Sequence, residues 1–182
     1  MDFRTVDPAA IQWATGPRGL PVARTPAGRV TVQTPLCACR PSLASAGMYR
    51  LELFFLPHVA QHAAFCQWMA DVEDAAADKL RFPDKVRSAC VYNNGMRLMA
   101  FSDTLAFDAS GKLSADLLDA ASCSCIIELQ GCWTSEYKWG LRWKIVQLKF
   151  GAEAPAFPPA PTTGDDDVPA RPAGEAFAFL ED

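Results

Sequence analysis

Between positions 133 and 149 the chain interleaves Trp133, Tyr137, Trp139 and Trp143 with Lys138, Arg142, Lys144 and Lys149. Flat aromatic faces stack on unpaired bases and nearby cations neutralise phosphates, so this alternation points to a single-stranded nucleic acid as ligand. Trp133, Tyr137 and Trp139 are the expected stacking groups, and Lys138, Arg142, Lys144 and Lys149 the expected backbone contacts. Trp143 belongs to the same candidate set. The competing reading is that Trp143 and Trp133 fill the core, because Trp is mostly buried and then needs a partner for its N–H.

A second constellation closes the chain. Asp165, Asp166 and Asp167, then Glu181 and Asp182, flank Phe177, Phe179 and Leu180, giving a polyanion with apolar anchors. From residue 151 onward seven acids face the single base Arg171, a net of −6, whereas the first 150 residues carry a net of +2. The overall charge of −4 therefore says little about phosphate binding; local clustering decides it. The tail is expected to dock a partner protein or to compete for the chain's own basic groove.

Other chemistry finds little support. A Walker loop, a nucleophile elbow, an H-E-x-x-H pair and a dinucleotide fingerprint are all missing, and Asp71, Glu73 and Asp74 fall where a helix would expose them to solvent. No enzymatic activity and no cofactor are expected. The cysteines number seven, an odd count without a disulfide spacing, and the pairs Cys37/Cys39 and Cys123/Cys125 lack zinc spacing. Residues two apart share one face of a strand, so these thiols read as small apolar groups turned inward. His58 and His62 sit one helical turn apart without a third ligand and read as capping or surface residues.

Positioning such rings and cations requires strands. Val30 and Val32 alternate in a strand expected over 29–34, and Tyr49, Leu51, Leu53 and Phe55 share a face of another over 48–56. Residues 35–47 read as a wide loop. Over 61–80 the period changes: Phe65, Trp68, Met69, Val72, Ala76 and Leu80 recur at helical steps. Asn93-Asn94-Gly95 predicts a hairpin turn, and Asp108-Ala109-Ser110-Gly111 a second tight turn. Strands then follow over 123–130 and 141–150, with a bulge at Gly131. On the last, Leu141, Trp143 and Ile145 point one way and Arg142 and Lys144 the other.

Six or seven strands with one long helix, joined mostly by turns, favour a mainly β, antiparallel barrel or sandwich. The N-terminal residues 1–28, rich in Pro and Gly, read as a loose arm; residues 29–150 form the single domain; the Pro-rich tail 151–182 is expected to be disordered. Neither a spanning segment nor an export signal is present, so the expectation is an intracellular protein, off the membrane.

The pieces Val32-Gln33-Thr34-Pro35, Gly47-Met48-Tyr49-Arg50-Leu51-Glu52-Leu53, Phe107-Asp108-Ala109-Ser110-Gly111, Ile126-Ile127-Glu128-Leu129-Gln130-Gly131-Cys132-Trp133 and Trp139-Gly140-Leu141-Arg142-Trp143-Lys144-Ile145-Val146-Gln147 carry a further likeness. In order, they resemble single-stranded DNA-binding proteins of large double-stranded DNA viruses, which are similar to phage-type binding proteins with one OB-fold and an acidic C-terminal tail. The resemblance spans roughly residues 29–150. It implies an OB-fold-like barrel that coats exposed strands in DNA replication, recombination or repair. Polymerase or helicase partners would be met through the tail, self-association is compatible with it, and the location would be the host nucleus or cytoplasm. The rival reading, from a different class, is a non-enzymatic virion structural or protein-interaction module that reaches neighbours with its arm and tail.

Overall fold

The computed structural model describes residues 2–16, 19–45, 47–101, 103–114 and 121–151. Its organising element is an antiparallel pair of long strands, β10 (Ser122–Thr134) and β11 (Lys138–Phe150). Cys123, Cys125, Ile127 and Leu129 on the first, and Leu141, Trp143, Ile145 and Leu148 on the second, are buried. That inward period of two, lengthened to three between Ile145 and Leu148 where the strand bulges, is what makes both segments strands. The register slips between Ile126 and Ile127 and again between Leu129 and Gly131, two bulges that bend the pair.

Strands then add on both edges of this pair. Against β10 lie β3 (Val30–Gln33) and the start of β4 (Cys37–Ser45), both antiparallel. From β4 the sheet continues through β5 (Met48–Phe54) and β8 (Gly95–Phe101) to β7 (Val91–Tyr92). Along β11 run β6 (Val86–Ser88) and β9 (Leu105–Phe107), both parallel to it. Thr104 donates from its hydroxyl to the Ile145 carbonyl, tying the segment after β8 to β11 on the far side. The result is a mainly β, OB-fold-like antiparallel barrel with one long helix. The two short parallel strands are additions that turn-by-turn reading cannot anticipate.

The helix, α1 (Ala60–Leu80), presents Phe65, Trp68, Met69, Val72 and Ala76 to the core. Phe65 meets the rings of Phe3 and Phe55, both at 5.3 Å, an aromatic cluster that locks helix to barrel. Arg81, left-handed at φ 47°, closes the helix by sending its amide to the Ala77 carbonyl. His62 is buried: its Nδ1 accepts from the Leu56 amide, so Nε2 carries the proton and donates to the Leu36 carbonyl, both at 2.9 Å. It pins two loops together instead of capping or lying on the surface. Glu73 also departs from expectation, being buried and accepting the Cys90 amide while Arg87 stands 3.9 Å away.

Two larger expectations need correction. Residues 2–16 and 19–28 are no loose arm: two 3₁₀ turns, Phe3–Thr5 and Pro8–Ala10, lead into a hairpin of β1 (Gln12–Thr15) and β2 (Pro21–Arg24). Phe3, Val6, Ile11 and Ala23 are buried, Trp68 Nε1 donates to the Val6 carbonyl at 2.8 Å, and Lys79 donates to the carbonyls of Ala9 and Ile11. These apolar residues have no period of their own because they follow the helix surface. The stretch expected as a wide loop is β4, whose Cys37 and Cys39 are buried and which pairs along its length with β5. The inward thiols are as the alternation suggested: Cys37, Cys39, Cys123 and Cys125 form no disulfide and are sealed in the core. Burial, then neighbouring Cys39, pushes the Cys37 thiol up to about 12. The acidic tail, including Asp165 to Asp167, Phe177, Phe179, Leu180, Glu181 and Asp182, lies outside the described residues.

Candidate nucleic-acid interface

Because partners in an antiparallel pair project to the same side, the register of β10 and β11 defines an outward face residue by residue. Trp133 stands opposite Gly140, Gly131 opposite Arg142, Glu128 opposite Lys144, Ile126 opposite Gln147 and Ser124 opposite Lys149. Lys138 continues the row at the turn, by the parity of Gly140 and Arg142. Lys138, Arg142, Lys144 and Lys149 therefore share one face of one strand. From Lys138 to Lys149 the row extends roughly 35 Å at the usual rise per residue.

Trp133 lies flat across its neighbour strand. A Cβ at Gly140 would sit 2.9 Å from indole atoms Cε2, Cζ2 and Nε1, closer than carbon atoms tolerate. Gly140 thus leaves the space the ring occupies, and the indole stays half-buried. Tyr137, 68% exposed, projects at the hairpin turn beside Lys138, and its hydroxyl titrates above its ordinary range because of a hydrogen bond with Glu136.

Trp139 and Trp143 are placed differently. Both point inward with Leu141 and Ile145, 4% and 9% exposed. Trp139 packs 5.4 Å from the Phe82 ring, and Trp143 lies 6.1 Å from Trp68 under the helix. Neither indole offers a face to a ligand, which removes both from the stacking set. The reason is parity: they alternate with the cations, and only one side of a barrel strand is wet.

The charges on the outer face are unequal in availability. Lys144 pairs with Asp103 at 3.0 Å, and Glu128, across from it, is engaged by Arg29 at 3.0 Å. Lys138, Arg142 and Lys149 have no acidic partner among the described residues and are exposed. Against phosphate they lose no existing ion pair. Sequence reading did not find the far end of the face. There β9 brings Phe107 opposite Lys149 and Leu105 opposite Gln147, while β3 brings Gln33 opposite Ile126. Gln33 donates to the Ser124 hydroxyl at 3.3 Å. Only the parallel pairing of β9 with β11 makes Phe107 part of this surface, and no local pattern announces that.

The β1 and β2 hairpin crosses β10 at Gly131. There φ is +152° and a Cβ would come 2.1 Å from the Pro21 carbonyl oxygen, so only glycine admits the crossing. The N-terminal hairpin in this way lies against the β10 side of the face at the level of Arg142. Among the described residues no cluster of His, Cys, Asp or Glu has a metal-binding arrangement, and no helix is long and apolar enough to cross a membrane.

No protein-family model and no curated protein matches the sequence. Among solved structures, the fold is shared with gp2.5, a single-stranded DNA-binding protein encoded by bacteriophage T7. The TM-score is 0.52 at 10% identity, over 79% of this chain and 100% of that chain. It is shared likewise with the single-stranded DNA-binding protein from bacteriophage Enc34, at a TM-score of 0.50 and 9% identity, over 85% of this chain and 96% of that one. At such identities the likeness lies in the architecture: an OB-fold-like barrel of the kind that phage single-stranded DNA-binding proteins use.

Proposed function

We propose that this chain binds single-stranded DNA along the outward face of β11 and acts by binding, without catalysis. The observation that carries the reading is the row Lys138, Arg142 and Lys149, exposed and without acidic partners among the described residues, on the face where the half-buried Trp133 packs over Gly140. Phosphates of an extended strand meet the cations while bases stack on Trp133 and Tyr137, at about 1–3 kcal/mol per stacked base. Lys144 joins by exchanging Asp103 for phosphate. Coating of exposed strands in replication, recombination or repair, in a large double-stranded DNA virus, is the setting that fits this binding mode and the resemblance of the sequence.

The acidic tail extends the proposal. Asp165, Asp166, Asp167, Glu181 and Asp182 with Phe177, Phe179 and Leu180 are a docking segment for replication or recombination proteins, and a competitor for the same cationic row. Titrating a labelled single-stranded oligonucleotide at several salt concentrations tests the binding itself. Three free cations predict a slope of log affinity against log salt near −2, by the rule of about −0.7 per single-strand phosphate contact. Affinity indifferent to salt rejects the reading and favours the virion structural or protein-interaction role. Truncation after Phe150 tightens binding if the tail competes; unchanged affinity leaves docking alone.

A further inference from the structure

Beyond Lys149 the outer face does not simply end. It sinks into a depression of about 280 Å³ whose walls include Phe107, Gly111, Gln33, Ser124, Gln147 and Lys149, with Ile126 among its apolar lining. Three strands converge there through a single cross-strand row: Gln33 on β3, Ile126 on β10 and Gln147 on β11. The next row sets Ser124, Lys149 and Phe107 side by side. The turn after β9 closes the rim. Asp108 accepts from the Lys112 amide and the Ser110 hydroxyl, and Gly111, at φ +87°, borders the cavity.

The chemistry of this lining is specific. A ring gives a stacking face, and two carboxamides and a hydroxyl each offer both donors and acceptors. One ammonium supplies the charge for a phosphate. The volume falls at the lower limit of small-molecule pockets, about 300–1,000 Å³, which suits one planar heterocycle and little more. Lys149 is at once the last cation of the outer row and part of this wall, so the depression is continuous with the DNA track.

We propose that the depression is a base-reading subsite: one unpaired nucleobase enters it, stacks on Phe107, and presents its edge to Gln147 and Gln33 while Lys149 holds the adjoining phosphate. This rests on the reading of the outer face as a single-stranded DNA track and adds to it a position where base identity matters. Elsewhere along the track the contacts are rings and charges, which do not distinguish bases. Gln can pair bidentately with adenine through N6 and N7, so adenine is the base best matched to the carboxamides.

The test uses the full chain and 16-nucleotide homopolymers of dA, dC and dT, a length chosen at the upper end of the roughly 4–16 nucleotides an OB-fold covers. Phe107→Ala is expected to weaken binding of all three by about 5- to 150-fold, the loss of one stacked base. Phe107→Leu, which keeps apolar volume without a ring, should weaken binding similarly, and Phe107→Tyr should restore it; this separates stacking from folding. Gln147→Leu should reduce the ratio of dA to dT affinity several-fold, whereas Trp133→Ala should lower all affinities and leave that ratio alone. Wild-type affinity in Phe107→Leu together with an unchanged ratio in Gln147→Leu overturns the subsite, even while Trp133→Ala still weakens binding and the track stands. If the wild-type chain binds none of the homopolymers, track and subsite both fall.

Discussion

Gly140 offers the sharpest separation of binding from folding. Its missing side chain would meet three indole atoms of Trp133 at 2.9 Å, against the roughly 3.5–4.0 Å at which carbon atoms rest. Gly140→Ala forces the ring to lift by about 0.6–1 Å, and Gly140→Val, with two more methyl groups on the same side, displaces it outright. Backbone strain is not at issue, because Gly140 is not among the glycines at positive φ. A glycine inside a strand is itself slightly unfavourable, so either substitution should leave the thermal midpoint near that of the parent chain or raise it. If Trp133 stacks a base from its flat pose, Gly140→Val should approach Trp133→Ala, about 1–3 kcal/mol or 5- to 150-fold weaker for a single-stranded oligonucleotide. Fluorescence anisotropy of a labelled oligonucleotide reads the affinity and circular dichroism the midpoint. The double variant supplies the decisive comparison: adding Gly140→Val to Trp133→Ala should cost nothing further, since the ring it displaces is gone. Wild-type affinity in Gly140→Val, or additive losses in the double variant, would refute the idea that the pose of Trp133 matters.

The remaining expectations concern charge, backbone and thiols. Replacing Lys138, Arg142 or Lys149 with Gln should each flatten the salt slope by about 0.7 and weaken all sequences equally, as measured by titration across salt. Lys144→Gln should do less, because that ammonium already has Asp103 at 3.0 Å. Gly131→Ala places a Cβ 2.1 Å from the Pro21 carbonyl in a backbone region costly to other residues; a loss of about 1–3 kcal/mol or more is expected in denaturant melts. For Cys37, whose folded thiol titrates near 12 against an ordinary value of 9, the sign follows from linkage. The unfolded chain loses its proton first, so stability is fully present below about pH 9 and declines as pH rises from 9 towards 12. Thermal midpoints flat from pH 6 to 8 and falling above 9 are the expected profile.

How far the sequence discloses this molecule depends on where each residue finds its partner. The long helix and the pair β10 and β11 are legible because each buries a stripe whose period, three to four or two, is local. The bulge at Gly131 is legible too, and its left-handed φ explains why glycine stands there. The N-terminal turns are not. Phe3, Val6 and Ile11 are spaced to suit the surface of α1, so nothing within their own segment repeats. In β4, Pro41 and the serines suggested a loop, yet a proline that lacks an N–H is tolerated on a strand whose outer edge needs no donor. Pro41 sits opposite Leu51, beyond the short stretch where β4 meets β10.

The site follows the same logic. Leu141, Trp143 and Ile145 already mark the inner side of β11 in the sequence, and carrying that parity back two residues places Trp139 inside as well. What alternation delivers is therefore a sorting rule: every indole on the parity of Leu141 belongs to the core, and every cation on the parity of Arg142 belongs to the solvent. Trp133 escapes the core only because its antiparallel partner is Gly140, on the cationic side. One glycine thus decides that a Trp from β10 lies across the basic row of β11, next to Arg142, instead of under it. Aromatic ring and charge meet through register, which depends on the hairpin turn at residues 135–137 and on the bulges that set which residues face each other. A one-residue slip past those bulges would put Lys144 inside and Trp143 outside, exchanging the two faces, and the core contacts of Trp143 with Trp68 forbid it.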